Sequence, residues 1–215
     1  MSVFSKCFWR QLMLGCLVGS GVSSAAIAGA DVKVTSTDKV VFPSGLSWER
    51  MRTVPLNHHP ATPGTPLVKP SQEDIDAAQR IWADEISKGL AKDKREHFQV
   101  LVGSGALNGH PVVVSLIDLM DFERCEPPAN GKNVVDVYSK CLARVAIGPL
   151  KAAHTVEFQG FCFVFSPWMT PEEIKFREST HNDVAFDAKA GVVYFRTIQH
   201  GKNVAACQRA VRIAQ

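Results

Sequence analysis

The spacing of apolar residues along this 215-residue chain changes from a helical period to a strand period near residue 97. Before that point, apolar side chains recur at steps of three or four, at Ile75, Ala78, Trp82, Ile86 and Leu90. Ser71 precedes this stripe as a suitable N-cap, and Glu73 and Asp74 supply negative charge to the first turn. The pattern predicts one long amphipathic helix that begins at Ser71 and packs on a sheet.

After residue 97, alternation of apolar and polar positions predicts strands. Residues 98–102 and 112–117 flank the turn-forming sequences Gly103-Ser104-Gly105 and Asn108-Gly109, which predicts a hairpin. In residues 135–147 most apolar side chains share one parity, which predicts a half-buried strand with Cys141 on its inner face. Residues 155–165 are apolar on nearly both parities, so we expect them to form the central strand of the sheet.

The C-terminal part of the chain completes the predicted fold. Thr170-Pro171-Glu172-Glu173 has the features of a helix start and predicts a short helix through about residue 177. Strands are expected at 184–186, 192–198 and 204–213, separated by glycine-containing turns. These elements predict an α+β fold, in which one long N-terminal helix and one short helix pack on one side of an antiparallel sheet of roughly six strands.

Residues 1–30 have the pattern of a secretory signal peptide. Lys6 and Arg10 precede the apolar run 12–18, and small residues close the segment at Ala26-Ile27-Ala28 and Ala28-Gly29-Ala30. The run is too short for a spanning helix, which needs about 20 apolar residues. We expect cleavage before Gly29 or Asp31, a periplasmic or secreted protein, and no stable membrane span afterwards. Lipidation at Cys16 is the alternative, because Leu14-Gly15-Cys16 resembles the end of a lipobox.

The rest of the chain is predicted to form one domain preceded by an arm. Six prolines between residues 43 and 70 interrupt any long helix or strand, so residues 31–70 are expected to be a proline-rich extended arm. Residues 71–215 are then a single α+β domain, of a size that can bury its own core. His58 and His59 in the arm do not predict a metal site, because such a site needs three or four converging ligands.

The small net charge of the chain argues against nucleic acid as a partner. The chain has 24 basic and 21 acidic residues, and all the acidic residues follow position 30. Loss of Lys6 and Arg10 with the signal leaves a mature net charge of about +1. A charge this small produces no long-range field for nucleic acid, so we expect no nucleic-acid partner.

Four cysteines follow the signal, at positions 125, 141, 162 and 207. An even number in an exported chain favours two disulfides, and their wide spacing is unlike the close pairs of metal sites. Four cysteines allow three pairings. We favour Cys125 with Cys141, because they bracket the turn-rich residues 126–131, and Cys162 with Cys207, because they join two predicted strands.

The sequence contains only weak matches to known catalytic motifs. Gly103-Ser104-Gly105 lacks the spacing of a nucleophile elbow, which needs glycine two residues before and two after the serine. His181, Asp183 and His200 near predicted turns are the alternative catalytic residues, although oxidised cysteines cannot serve them as nucleophiles. The chain has no phosphate-binding glycine loop of the Walker or Rossmann type, and no cofactor or metal is predicted.

Two classes of function follow from these observations. The first is an exported, non-enzymatic envelope protein that binds another envelope or secreted protein, as an inhibitor, an immunity-like factor or an accessory component of a surface machine. Trp48, Trp168 and Arg177 are its expected binding residues, because aromatic and arginine side chains dominate protein interfaces. The alternative is a small exported hydrolase that uses the loop histidines.

Overall fold

A computed structural model describes residues 33–38, 40–56, 69–94, 98–119, 125–126, 138–164 and 178–214 of the chain. The signal peptide predicted at 1–30, the His58-His59 pair and the short helix predicted from Thr170 lie outside these residues. Trp168 and Arg177 lie outside them as well.

The described residues form eleven strands, two α-helices and one short 3-10 helix. The strands are β1 (Lys33–Asp38), β2 (Glu49–Arg50), β3 (Arg52–Leu56), β4 (Phe98–Leu107), β5 (His110–Leu119), β6 (Tyr138–Ile147), β7 (His154–Val164), β8 (His181–Asp187), β9 (Val192–Gln199), β10 (Lys202–Asn203) and β11 (Arg209–Ala214). The helices are α1 (Gln72–Ile81) and α2 (Ala83–Lys92), and the 3-10 helix is Ala205–Cys207.

The fold is α+β, as predicted, but it contains two antiparallel sheets instead of one. The six-stranded sheet has the order β1-β11-β9-β8-β2, with β10 beside β9. The five-stranded sheet has the order β3-β4-β5-β6-β7. Alternation in a strand shows that one of its faces is apolar, but it does not show which strands share a sheet. The sequence pattern therefore did not predict that the strands divide between two sheets.

The predicted long helix is divided at Trp82, whose backbone leaves the helical region at φ −113° and ψ 16°. The Ser71 N-cap and its capping box with Asp74 are present as expected. The guanidinium of Arg144 in β6 donates to the carbonyl oxygen of Ile81 at 2.7 Å and lies 4.4 Å from the centre of the Trp82 ring. Because Arg144 occupies this carbonyl, the helical hydrogen-bond ladder is interrupted here.

The helices cover the outer face of the five-stranded sheet. Trp82 is completely buried there, and its indole nitrogen donates to the Ser115 hydroxyl at 2.8 Å. This helix-covered core also includes Ala78, Val100, Ile117, Leu142 and Ala146. Strand β6 is therefore buried on both faces, since Cys141, Ala143 and Val145 face the core between the sheets.

The two sheets approach closely at the glycines of β4. A Cβ atom at Gly103 would lie 2.6 Å from a methyl group of Val184, and one at Gly105 would overlap the Phe186 ring. These glycines lie within a strand and not in a turn, contrary to the hairpin prediction. The hairpin itself is confirmed, and its turn is Asn108-Gly109, where both residues have positive φ.

Strand β7, predicted to be central, is the outermost strand of the five-stranded sheet in the described residues. Phe161 and Phe163 are buried between the two sheets, which explains the apolar sequence without a central position. The backbone edge of β7 at residues 162–164 is covered by the Asn182 side chain. Asn182 accepts from the Val164 amide at 3.0 Å and donates to the Cys162 carbonyl at 2.9 Å.

Three strands occur in residues 33–56, where the sequence analysis expected an extended arm. β1 pairs with β11, β2 with β8, and β3 with β4. The chain passes from one sheet to the other at Met51, whose amide donates to the Asn182 carbonyl at 2.9 Å. Pro55 is accommodated because β3 is an edge strand, where one side needs no backbone donor.

The C-terminal strands follow the predicted order, with one change. β8 and β9 contain the predicted segments 184–186 and 192–198. The segment 204–213, expected as one strand, consists of the 3-10 helix and the shorter β11. Cys207, at the end of the 3-10 helix, is completely buried.

The cysteines are joined in the two expected pairs, Cys125 with Cys141 and Cys162 with Cys207. The second disulfide connects β7 of one sheet to the 3-10 helix that precedes β11 of the other. It closes a sequence separation of 45 residues, against 16 for the first. We therefore expect the second disulfide to restrict the unfolded chain more strongly.

We predict that Gly105→Ala lowers the free energy of unfolding by about 1–3 kcal/mol, because the added methyl group overlaps the Phe186 ring in a packed core. In a Phe186→Ala background the same change should cost less, and chemical denaturation of the four-variant cycle measures the difference. Ser104→Ala in the same strand is the control. Equal costs in both backgrounds would contradict the proposed close approach.

Replacing Cys162 and Cys207 together by alanine should lower the unfolding free energy by about 2–5 kcal/mol in urea. Replacing Cys125 and Cys141 should cost about 1 kcal/mol less, because the loop is shorter. Peptide mapping of the oxidised wild type should find no alkylated cysteine among the four. Recovery of alkylated Cys162 would refute the pairing.

Candidate functional site

The register of the six-stranded sheet gathers four polar side chains on its outer face. His181 and Asp183 lie two residues apart in β8 and so point to the same side. Arg50 of β2 is the pairing partner of Asp183 on one side, and Arg196 of β9 is its partner on the other. Cross-strand neighbours are close enough to interact directly. We call these four residues the Arg50–His181 cluster.

Hydrogen bonds in the cluster run in a defined direction. Arg50 Nη2 lies 2.9 Å from His181 Nδ1 and 3.5 Å from Nε2, and Arg50 is the donor in this contact because a guanidinium has no acceptor. The other ring nitrogen, Nε2, lies 3.3 Å from Asp183 Oδ1. Arg196 Nε donates to Asp183 Oδ2 at 2.9 Å. His181 therefore lies between a permanent donor, Arg50, and a carboxylate acceptor, Asp183.

Asp183 is the electrostatic centre of the cluster. Its side chain is only 5% exposed. Burial by itself would raise its pKa, but hydrogen bonds and attraction from His181 and Arg196 outweigh burial and lower the pKa below the ordinary value of 3.8. The carboxylate is thus ionised at neutral pH and compensated by its neighbours.

A segment next to the cluster crosses the outer face of the same sheet. Residues 40–48, which we call the strap, connect β1 at one edge to β2 at the other. Phe42, Leu46 and Trp48 of the strap pack on Tyr194 and other apolar residues of the sheet. The guanidinium of Arg196 lies 4.1 Å from the centre of the Trp48 ring. Arg196 therefore links the strap to Asp183.

The structure brings together two of the three alternative catalytic residues. His181 and Asp183 are in contact, but His181 begins strand β8 instead of lying in a loop. His200 is exposed in the turn after β9, and its amide donates to the Thr180 hydroxyl at 3.1 Å. Trp48, predicted as a binding residue, is half-buried under Arg196.

The described cysteines and Ser104, which the sequence analysis considered as nucleophiles, lie outside the cluster. The four cysteines are in disulfides, and Ser104 belongs to β4. Among the described residues, histidine, cysteine and carboxylate side chains form no group of three or more that could hold a metal ion. None of the described helices is long and apolar enough to cross a membrane.

Sequence reasoning missed Arg50 and Arg196. Arg196 shares a parity with Tyr194 in β9, and Arg50 lies in the segment expected to be an arm. Each is an unremarkable charged residue in one-dimensional sequence. Only the pairing of β2 and β9 with β8 places both beside Asp183.

Compared with known proteins, the chain matches no family model, no curated protein and no solved structure.

We predict that Asp183→Asn lowers the unfolding free energy by about 1.5–3 kcal/mol at pH 5, the usual effect of losing hydrogen bonds to a buried charge. A lowered folded-state pKa gives stability that is present above the unfolded value and is lost as the pH falls through the folded-state pKa. The difference between wild type and variant should therefore shrink from pH 5 towards pH 2.

Urea unfolding at several pH values measures this difference. Asp187→Asn in the same strand is the matched control, because its side-chain oxygen still accepts from the Ala190 amide. A wild-type advantage that is unchanged at pH 2 would contradict the stabilising role of the Asp183 carboxylate.

Proposed function

We propose that this protein is an exported, non-enzymatic envelope protein that acts by binding another envelope or secreted protein. One observation carries the proposal: both ring nitrogens of His181 are engaged by neighbouring side chains, Nδ1 by Arg50 and Nε2 by Asp183. The best catalytic candidate in the sequence is thereby committed to contacts inside the fold.

A catalytic histidine needs one nitrogen within reach of the proton that it removes. In a serine or cysteine triad, the carboxylate holds one ring nitrogen and the nucleophile meets the other. In this protein the second nitrogen meets a guanidinium, which is a permanent donor and cannot be a nucleophile. The cluster therefore resembles a structural ion network more than a catalytic one.

The disulfides support the exported location. Both pairs are buried, and such bonds form and persist in oxidising compartments. Because paired cysteines offer no thiolate, they also leave a hydrolase of this fold without a cysteine nucleophile.

The binding residues proposed from the sequence are Trp48, Trp168 and Arg177. Trp48 contacts Phe42 at a ring-centre distance of 4.8 Å as well as Arg196, so its replacement would disturb the strap. Arg177 and Trp168 are therefore the better test positions. Val41 in the strap, which is 92% exposed, offers an apolar contact to a partner.

Affinity capture with the mature protein tests the proposal. Immobilised wild type should enrich one protein from an envelope extract of the producing cells, identified by mass spectrometry. Trp168→Ala or Arg177→Ala should reduce this enrichment by more than about tenfold, since interface anchors typically contribute 2 kcal/mol or more. His200→Asn is the matched control: it changes an exposed turn residue, and asparagine tolerates the positive φ of 50° at this position, so both capture and melting temperature should be nearly unchanged.

The alternative, a small exported hydrolase, is favoured by one observation, the 3.3 Å contact between His181 and Asp183. Assays of the wild type with ester and amide substrates test it. Turnover that His181→Ala abolishes, with the melting temperature retained, would replace the binding proposal. Loss of captured partner in His200→Asn would contradict the proposed binding residues.

A further inference from the structure

The described strand orders end in four edge strands, and three of these are short, interrupted or contain proline. β2 has only two residues, and β3 carries Pro55, which has no amide donor. The edge of β7 is interrupted by a bulge, and the side chains of Asn182 and Arg209 bond to its backbone between Gly160 and Val164. Natural sheets use such devices because an unpaired edge is a template for another strand.

The fourth edge strand, β1, has none of these devices in the part of the chain that the structure describes. All six of its residues pair with β11 in unbroken register. Five of the six are exposed, and Val34 is half-buried against the core between the sheets. β1 is therefore the edge at which the six-stranded sheet can accept a further strand.

The register of β11 shows which backbone groups of β1 point outward. The Ile213 amide donates to the Gly191 carbonyl at 2.9 Å, on the β9 side of β11. Because hydrogen-bonded and non-hydrogen-bonded pairs alternate along antiparallel strands, Arg212 directs its backbone groups towards β1, where it pairs with Thr35. The amides and carbonyls that face away from the sheet belong to the alternate residues, which are Val34, Ser36 and Asp38.

Side chains on the two faces of this edge define the kind of strand that fits it. On the inner face, Val34 borders the apolar core between the sheets. On the outer face lie Lys33 of β1 and Arg212 of β11, and the other outer-facing residues of these two strands are threonines and alanines. No described carboxylate forms an ion pair with either cation. A strand with apolar residues on its inner face and carboxylates on its outer face complements both sides of the edge.

We propose that β1 is a strand-addition site, at which an extended segment of a partner protein with alternating apolar and acidic residues pairs antiparallel to β1. Hydrogen bonds to the three outward-facing residues hold the segment, and its carboxylates lie beside Lys33 and Arg212. Because the occupant is a protein partner, the site rests on the proposed function and specifies how that partner binds. A second copy of the chain fits less well, since a sheet continued through two copies brings their outer-face cations to the same side without a carboxylate.

Hydrogen exchange of the mature protein, measured by NMR at neutral pH and low salt, tests the site with a synthetic probe. The probe is an acetylated, amidated hexapeptide in which glutamate and valine alternate. At saturating peptide, the amides of Val34, Ser36 and Asp38 should exchange at least about tenfold more slowly, because they acquire carbonyl partners. The amides of the intervening residues already bond to β11 and should change little. The matched peptide with lysine in place of glutamate should bind about fivefold or more weakly, because like charges then face each other.

Ser36→Pro supplies a second test on the protein side. Proline removes the outward-facing amide of residue 36 without removing a bond to β11, so the melting temperature should be nearly unchanged. Peptide binding should fall by more than about tenfold, because a carbonyl of the added strand then has no donor. Ser36→Ala keeps the amide and should bind the peptide as the wild type does. If Ser36→Pro does not fold, the alternating protection in the wild type decides the question.

Several outcomes would overturn the strand-addition site. These are unchanged exchange at the three outward-facing amides, equal binding of the lysine peptide, and slowing confined to residues 154–158 of β7. Slowing that depends on protein concentration without peptide would identify a second copy as the occupant and would also overturn it. If a partner captured from the envelope extract is retained by Ser36→Pro, the site fails while the proposed function stands. Protection by the peptide with no protein captured supports the site and counts against the proposed function.

Discussion

The rest of this structure depends on the close face-to-face packing of its two sheets. Gly103 and Gly105 leave room on β4 for Val184 and Phe186 of β8, so these side chains pack directly on the β4 backbone. That approach buries Phe161 and Phe195 in a common core, with ring centres 5.1 Å apart. Because protein interiors are close-packed, a larger side chain at either glycine would have to separate the sheets or move the Phe186 ring.

Polar side chains and a disulfide also connect the two sheets, at β7, where the described strands of the two sheets share no backbone pairing. Asn182 satisfies backbone groups of β7 and also donates to Thr197, although the residue itself is buried. Arg209 donates to the Gly160 carbonyl at 2.6 Å, beside the bulge that shifts the register of β7. Burial lowers the pKa of Arg209, which is the expected cost of bringing a guanidinium to this edge. The Cys162–Cys207 bond completes the junction.

The outer faces of the two sheets are covered differently. Two helices cover the five-stranded sheet, and Arg144 fixes their junction through Asp84, whose pKa it lowers to about 2 by hydrogen bonding. Among the described residues, the outer face of the six-stranded sheet is covered by the nine-residue strap, held near the Arg50–His181 cluster. A segment without regular secondary structure generally opens locally at a lower free-energy cost than a packed pair of helices.

The sequence by itself determined the local features of this protein. Ser71 and Asp74 form the predicted capping box, Asn108-Gly109 makes the predicted hairpin turn, and the cysteines join in the expected pairs, because each feature depends on near neighbours or on a small number of alternatives. Tertiary structure alone decided the division into two sheets, the outer position of β7 and the break at Trp82. It also assembled Arg50, His181, Asp183 and Arg196. These features depend on contacts between residues far apart in the chain, and alternation along one strand carries no information about which strand lies beside it.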